Sequence, residues 1–221
     1  MRETAGRIFK IAEDNRPVPG CTISKLVSDE HDFGITYFSM GAGTRISAES
    51  YAYPKLIYLE EGHVETIGAG AESLHSPVLA AGELLVTPVN IPIGLRTGKE
   101  AVYTEITLKE DAKMNEILKS GSVFKLKELL PYQEGKIVNM DLIDEDHLTL
   151  ALMSFDQGTG LSEHAAPGEA LIWALDGEGV IGYEGKEYTL HAGDNFKFDK
   201  NGRHYVKAVN SRFKMALLLT M

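Results

Sequence analysis

Two stretches, Gly6-Arg-Ile-Phe-Lys-Ile11 and Gly121-Ser-Val-Phe-Lys-Leu126, share one pattern at a distance of 115 positions. The register continues without a gap to Gly62 and Gly177. The loop that follows is four residues longer in the first copy, and after it the shift between the copies becomes 111. The turn residues that coincide are Gly20 with Gly135, Gly62 with Gly177, Gly82 with Gly193 and Asn90 with Asn201. A fixed internal period predicts two copies of one structural unit.

Each copy consists of short apolar runs bounded by Gly, Asn, Asp or Pro, such as Lys55-Leu-Ile-Tyr-Leu59 and Met215-Ala-Leu-Leu-Leu219. Many short strands with regular turn signals are typical of a β-sandwich or barrel. The segment Asp111–Lys119 has an acid at its start, a lysine near its end and Gly121 beyond, which predicts a helix. We therefore predict an all-β chain with one barrel over 1–109, a helical linker over 110–120 and a second barrel over 121–221.

Composition excludes several classes of protein. The formal net charge is −10, whereas a nucleic-acid-binding protein needs a basic face. Cys21 is the only cysteine, so neither an internal disulfide nor a four-thiolate zinc site can form. The first residues are charged, and no apolar run approaches the ~20 residues of a membrane span. We expect a soluble, cytoplasmic protein with neither nucleic acid nor membrane as a partner.

Two spacings in the second copy resemble the motifs of the cupin superfamily. The stretch from Gly193 to His204 has the spacing of the second cupin motif, with Asp199 where proline is usual. His164 occupies the first histidine position of the first motif, while Ala166 and Ala170 stand in its second histidine and glutamate positions. The resemblance covers nearly the whole chain. It implies a bicupin, in which two double-stranded β-helix (jelly-roll) barrels form one chain.

A cupin metal site uses three imidazoles and a carboxylate, and the second copy keeps two imidazoles, His164 and His204. The resemblance therefore implies one divalent transition metal (Zn, Ni, Mn or Fe) in the C-terminal barrel, with Glu169 as a substitute carboxylate. Because neighbours on a strand point to opposite faces, Glu169 would need a bulge at Pro167-Gly168 to join the site. The alternative is that the two histidines form a polar pair that holds a water or a ligand oxygen.

The repeat places Glu49, Tyr51, Lys55 and Ile93 in the ligand positions of the first copy. An ammonium group in one of these positions argues against a metal there. Lys55 is expected to pair with Glu49 or to bind an anionic ligand. The competing interpretation, which the sequence favours, is a lysine whose stem packs on the barrel mouth while its ammonium reaches water. On this basis the C-terminal barrel is expected to hold the more polar pocket.

The predicted function is the binding of a small polar molecule, such as a sugar acid or related carbonyl compound, in the C-terminal barrel. The alternative is a metal-dependent enzyme of the isomerase, lyase or dioxygenase type that uses His164 and His204. Fold alone does not decide whether such a protein is catalytic. A homodimer through a sheet face or edge is also expected. Five further histidines fall near predicted turns and should be solvated: His31, His63, His75, His147 and His191.

Overall fold

The computed structural model describes residues 1–30, 33–68 and 77–221, and the described chain is almost entirely β-strand and turn. It divides into two compact units. The N-terminal unit comprises Ile11–Ala112 and Glu116–Lys125, and the C-terminal unit comprises Met1–Lys10, Lys113–Asn115 and Leu126–Met221. Neither of the two four-residue helices in the described chain is long and apolar enough to cross a membrane.

The N-terminal unit contains two sheets and one short helix. Its elements are α1 (Ile11–Asp14), β2 (Thr22–Glu30), β3 (Phe33–Met40), β4 (Arg45–Glu49), β5 (Lys55–Glu61), β6 (His63–Ile67), β7 (Val78–Ala80), β8 (Glu83–Val86), β9 (Ile93–Arg96), β10 (Ala101–Thr107) and β11 (Val123–Lys125). The six-stranded sheet has the order β11-β8-β5-β10-β3-β2, and the four-stranded sheet has the order β4-β9-β6-β7. Buried residues of both sheets, including Leu59, Leu79 and Tyr103, form one apolar core.

The C-terminal unit repeats this arrangement. Its elements are β1 (Ile8–Phe9), α2 (Leu126–Leu129), β12 (Ile137–Glu145), β13 (Leu148–Phe155), β14 (Gly160–Ala165), β15 (Glu169–Tyr183), β16 (Lys186–His191), β17 (Asn195–Phe198), β18 (Arg203–Lys207) and β19 (Phe213–Thr220). The strand order β1-β17-β15-β19-β13-β12 is joined through the long strand β15 to β14, β16 and β18. Its core includes Phe155, Phe196, Phe198 and Phe213. In the described chain no sheet closes on itself.

Strand register supports the repeat residue by residue. Pairing is irregular between Leu26 and Ser28 in β2 and between Asp141 and Ile143 in β12, which are the same positions of the two copies. A positive φ recurs at equivalent turn residues: Gly6 and Gly121, Gly20 and Gly135, Gly43 and Gly158, Gly62 and Gly177, Gly82 and Gly193, Asn90 and Asn201. The two units therefore share strand order, bulges and turns.

The last strand corrects the predicted alignment by one residue. Thr107 pairs with Lys55, and its structural counterpart Leu219 pairs with Ala170. The shift in this strand is therefore 112 rather than 111, because the loop before it is one residue longer in the C-terminal unit. With this register, Glu105 corresponds to Leu217, since they pair with the equivalent residues Ile57 and Ile172.

The first strands of the two copies are exchanged. Ile8 and Phe9 in β1 pair with β17, which belongs to the second copy, whereas Val123–Lys125 in β11 pair with β8 of the first copy. The division into units differs from the predicted boundaries for this reason: residues 1–10 belong to the C-terminal unit and 116–125 to the N-terminal unit.

The predicted helix over the linker is wrong. Residues 110–120 contain turns and one isolated bridge, in which Met114 pairs with Ile143. The Asn115 amide donates to the Leu142 carbonyl at 2.9 Å, and its side chain donates to the Asp141 carbonyl at 2.9 Å. An isolated helix of this length is marginal in water, so these backbone partners on β12 decide the conformation.

Candidate functional site

The structure brings His164 and His204 together on neighbouring strands. The two residues are directly paired partners on β14 and β18, just after an irregularity in the register between Leu161 and His164. Their ring centroids are 4.4 Å apart, with the ring planes tilted by 57°. Glu49 and Ile93 form the equivalent pair on β4 and β9, after the equivalent irregularity. In each unit, two of the ligand positions that the repeat predicts therefore lie side by side on paired strands.

Each imidazole is held by a backbone carbonyl two residues before it. Nδ1 of His164 lies 2.9 Å from the Ser162 oxygen, and Nδ1 of His204 lies 2.8 Å from the Gly202 oxygen. A carbonyl can only accept, so each Nδ1 carries the hydrogen of its hydrogen bond. In the neutral form this leaves Nε2 of each ring as an acceptor or a metal ligand.

The two imidazoles have different environments. His204 is only 6% exposed and stacks on Phe198 with ring centroids 3.9 Å apart, whereas His164 is exposed. Burial lowers the pKa of His204, and the nearby His164 lowers it further, although the Gly202 carbonyl acts in the opposite direction. His204 is therefore a neutral ring at pH 7, and His164 is the solvent-facing member of the pair.

Glu169 does not join the histidines. Its carboxylate accepts hydrogen bonds from Lys197 Nζ, at 2.5 Å, and from the amino group of Met1. Burial alone would raise the pKa of Glu169, but the hydrogen bonds from these two cations hold it below its usual value. Glu169, the expected substitute ligand, therefore forms an ion pair between β15 and β17 instead of facing the histidines.

Two imidazoles do not form a complete ligand set for a resident metal ion. Ala166 and Ala170 bring no ligand atoms, and the described residues contain no group of three or more His, Cys, Asp or Glu side chains that could hold an ion. Closed and catalytic metal sites ordinarily use at least three protein ligands. The residues present therefore do not fit a resident metal without ligands from water or substrate.

The environment of Lys55 differs from both predictions, the pair with Glu49 and the ammonium in water. Its side chain is only 13% exposed, and its Nζ lies 3.1 Å from Oε1 of Glu105, which is 14% exposed. The ammonium also lies 3.7 Å from the centre of the Tyr51 ring. The partner of Glu49 is not Lys55 but the Tyr51 hydroxyl, which donates to its carboxylate. This hydrogen bond, together with burial, raises the pKa of Tyr51.

Glu105 is the residue that the sequence reasoning missed. It is the one charged residue of the strand Ala101-Val-Tyr-Thr-Glu-Ile106, and on a strand Glu105 and Tyr103 point to the same face. Both residues line one cavity together with Lys55 and Thr87. A charged residue within such a strand could have predicted a polar cavity. Recognising that Glu105 faces inward, however, requires the correct register of β10.

The N-terminal unit also contains a polar cavity, and the expectation that the C-terminal pocket is the more polar one stays a prediction. The cavity of the N-terminal unit is lined by Glu49, Tyr51, Lys55, Thr87 and Glu105, among apolar residues. The counterparts of three of these residues in the C-terminal unit are apolar: Ala170 for Lys55, Phe198 for Thr87 and Leu217 for Glu105. The histidine pair stands at the positions of Glu49 and Ile93.

The remaining histidines agree with the predicted solvation where they are described. His63, His147 and His191 are exposed. His31 and His75 lie outside the described residues.

Comparisons with known proteins agree with the architecture. The family model of the Cupin domain matches residues 151–221. A cupin 2 conserved barrel domain protein from Leptotrichia buccalis is 26% identical, with a TM-score of 0.85 over 100% of this chain and 99% of its own. No curated protein matches the sequence.

More distant solved structures share the fold. A variant of salicylate 1,2-dioxygenase from Pseudoaminobacter salicylatoxidans is 12% identical, with a TM-score of 0.60 over 86% of this chain and 70% of its own. Oxalate decarboxylase from Lactobacillus farciminis is 11% identical, with a TM-score of 0.55 over 100% of this chain and 87% of its own. The Cupin domain match covers residues 151–221, and the solved structures show that the whole chain shares their fold.

Proposed function

We propose that the chain forms two cupin-type barrels and that the C-terminal one binds a small polar molecule at His164 and His204. The observation that carries this proposal is the pairing of an exposed with a buried imidazole, each with its Nδ1 fixed by a backbone carbonyl. Side chains whose orientation is fixed in advance lose little entropy when a ligand binds. The fold supplies the scaffold, and the histidine pair supplies the chemistry.

The chemistry of the pair favours a ligand that carries hydroxyl groups together with a carboxylate or carbonyl. Neutral His204 presents Nε2 as an acceptor for a hydroxyl group. His164 is exposed, and an imidazole in its protonated form donates from both ring nitrogens, which suits an anionic oxygen. Sugar acids and related carbonyl compounds combine both kinds of group.

The second candidate is a metal-dependent enzyme of the isomerase, lyase or dioxygenase type. The observation in its favour is that both histidines have the tautomer that leaves Nε2 free to bind a metal. A Zn, Ni, Mn or Fe ion held there would act as a Lewis acid on a ligand carbonyl, with the other ligands supplied by water or substrate. Names among the structural neighbours include oxalate decarboxylase and salicylate 1,2-dioxygenase, at identities that carry the fold alone.

The test combines metal analysis with calorimetric titration of D-glucuronate as the sugar acid. The proposal predicts saturable binding by metal-free protein, which is lost in His164→Ala and in the double variant His164→Ala with His204→Ala. His191→Ala removes an exposed histidine of the same unit and should retain binding. Stoichiometric metal that disappears in the double variant would favour the enzyme instead. Unchanged binding in both histidine variants would place the site elsewhere.

A further inference from the structure

We propose that the cavity of the N-terminal unit is a second, metal-independent site for a compact neutral polyol. The cavity is lined by side chains of β4, β5, β9 and β10 and of the segments after β4 and β8. Its lining includes an ammonium group, two carboxylates and two phenol side chains within one small volume. This proposal is independent of the histidine site, because every lining residue belongs to the N-terminal unit.

The count of charges argues against an anionic ligand. Lys55 supplies one positive charge, and Glu105 neutralises it at 3.1 Å. Glu49 adds a second carboxylate, whose partner in the described chain is the uncharged Tyr51 hydroxyl. A bound oxalate or sugar acid would therefore face an excess negative charge in a partly buried place, where screening by salt is weak.

The position of the ammonium group argues against a metal ion. Lys55 and Tyr51 both occupy ligand positions of the repeat. The Nζ of Lys55 lies 3.7 Å from the centre of the Tyr51 ring. A divalent ion placed among these residues would meet a fixed positive charge at short range. The ammonium thus takes the place of the cation.

The hydrogen-bonding groups select the class of ligand. An ammonium has three N–H donors, and the described structure gives that of Lys55 one acceptor, Glu105 Oε1. The carboxylates of Glu49 and Glu105 offer only acceptor atoms. A ligand must therefore accept from the ammonium and donate to the carboxylates, and a hydroxyl group does both.

The size and walls of the cavity limit the ligand further. The cavity has a volume of about 50 Å³. Since an ordered water needs about 10–15 Å³ of such space, the site takes a molecule of only a few hydroxyl groups. Ile46, Ile57 and Ile93 line the same cavity and face the carbon skeleton of such a ligand. Compact polyols of the size of glycerol or erythritol match both the polar groups and the apolar wall.

The isoleucine side chains provide the readout. In the full chain labelled at isoleucine δ1-methyl groups, titration with erythritol should give saturable shifts of the Ile46, Ile57 and Ile93 signals. Oxalate and MnCl2 should produce no saturable change of the same signals. In the double variant Lys55→Ala with Glu105→Leu, which introduces the residues of the C-terminal unit, the dissociation constant should rise at least tenfold.

Two single variants keep the test decisive if the double variant does not fold. Glu49→Gln changes an exposed residue and should raise the dissociation constant for erythritol at least threefold. Glu65→Gln removes a carboxylate of the same unit that is paired with Arg96 outside the cavity, and it should leave the constant unchanged. The proposal is overturned if erythritol gives no saturable shifts, if Glu49→Gln binds like the parent protein, or if oxalate or Mn²⁺ saturates these signals.

Discussion

At the scale of single residues, the ionisation of His204 is coupled to folding. Burial lowers its pKa in the folded state, while the unfolded chain takes up a proton near pH 6.5. Below that pH the unfolded state binds more protons, so stability is full above about pH 6.5 and falls as the pH falls toward the lowered value. We expect urea unfolding between pH 7.5 and 5.5 to show a loss of stability that His204→Gln reduces, by at most about 1.4 kcal/mol per pH unit.

The exposed His191 provides the control for this dependence. The variant His191→Gln removes an exposed histidine outside the pair and so controls for the loss of a histidine as such, since the reduced pH dependence should be specific to His204→Gln. Equal slopes for the parent protein and His204→Gln would show that the buried ring has its ordinary pKa.

The ion pair of Lys55 and Glu105 predicts a second effect at this scale. Both side chains are mostly buried, so Lys55→Met leaves a carboxylate without its partner. Exposed pairs contribute under about 1 kcal/mol and breaking a fully buried pair costs about 3–5 kcal/mol, which places this pair at about 1–3 kcal/mol. Urea unfolding should show this loss, and Lys55→Met combined with Glu105→Leu should recover most of it. An unchanged melting curve for Lys55→Met would contradict the burial of the pair.

At the scale of elements, crowding at the turns separates two kinds of glycine. Gly135 has φ +64, and a β-carbon added there would have no neighbour within 4 Å, whereas Gly177 has φ +73 and its β-carbon would lie 1.8 Å from the Arg212 carbonyl oxygen. A left-handed backbone costs a non-glycine residue about 1–2 kcal/mol. We expect Gly135→Ala to cost about that much and Gly177→Ala at least about 2 kcal/mol more, because the backbone of the facing loop must move.

Thermal and urea unfolding of both variants measure the difference. Gly62→Ala is the matched case in the N-terminal unit, since its β-carbon would lie 2.2 Å from the Glu100 carbonyl oxygen. It should behave like Gly177→Ala. Equal losses for Gly135→Ala and Gly177→Ala would mean that the turn after Asp176 yields without cost.

The same elements show what local sequence can and cannot predict. Apolar runs bounded by turn residues predicted the strands, and two of them, Lys55–Leu59 and Met215–Leu219, lie in β5 and β19. The helix over Asp111–Lys119 failed because its backbone partners lie on β12, far along the chain. Local propensity carries no information on such partners.

The candidate sites follow the same division. The meeting of His164 and His204 was predictable, because motif spacing fixed both positions on paired strands. The contact of Lys55 with Glu105 was not, because it depends on the register of β10, and that register includes a loop that differs by one residue between the copies. A one-residue shift in a strand exchanges the inward and outward faces, so an alignment error of one is enough to hide the contact.

At the scale of the whole molecule, the two copies keep one strand order but exchange their first strands. The exchanged segments, Gly6–Ile11 and Gly121–Leu126, have nearly the same sequence pattern, so each offers the same apolar and polar alternation to β8 or β17. Because the two segments are so similar, the sequence does not indicate which copy each strand joins. The exchange therefore became visible only in the strand pairing.

At the same scale we propose a homodimer whose interface is the strand β2. This strand ends the six-stranded sheet as described, and its side chains Ile23 and Leu26 are 42% and 40% exposed. Terminal strands with exposed apolar residues invite pairing with a second chain. Light scattering at high micromolar concentration should give twice the chain mass for the parent protein and the single-chain mass for Ile23→Lys with Leu26→Lys. Because each chain carries a net charge of −10, salt should strengthen the association. A parent protein that stays monomeric at this concentration contradicts the proposal.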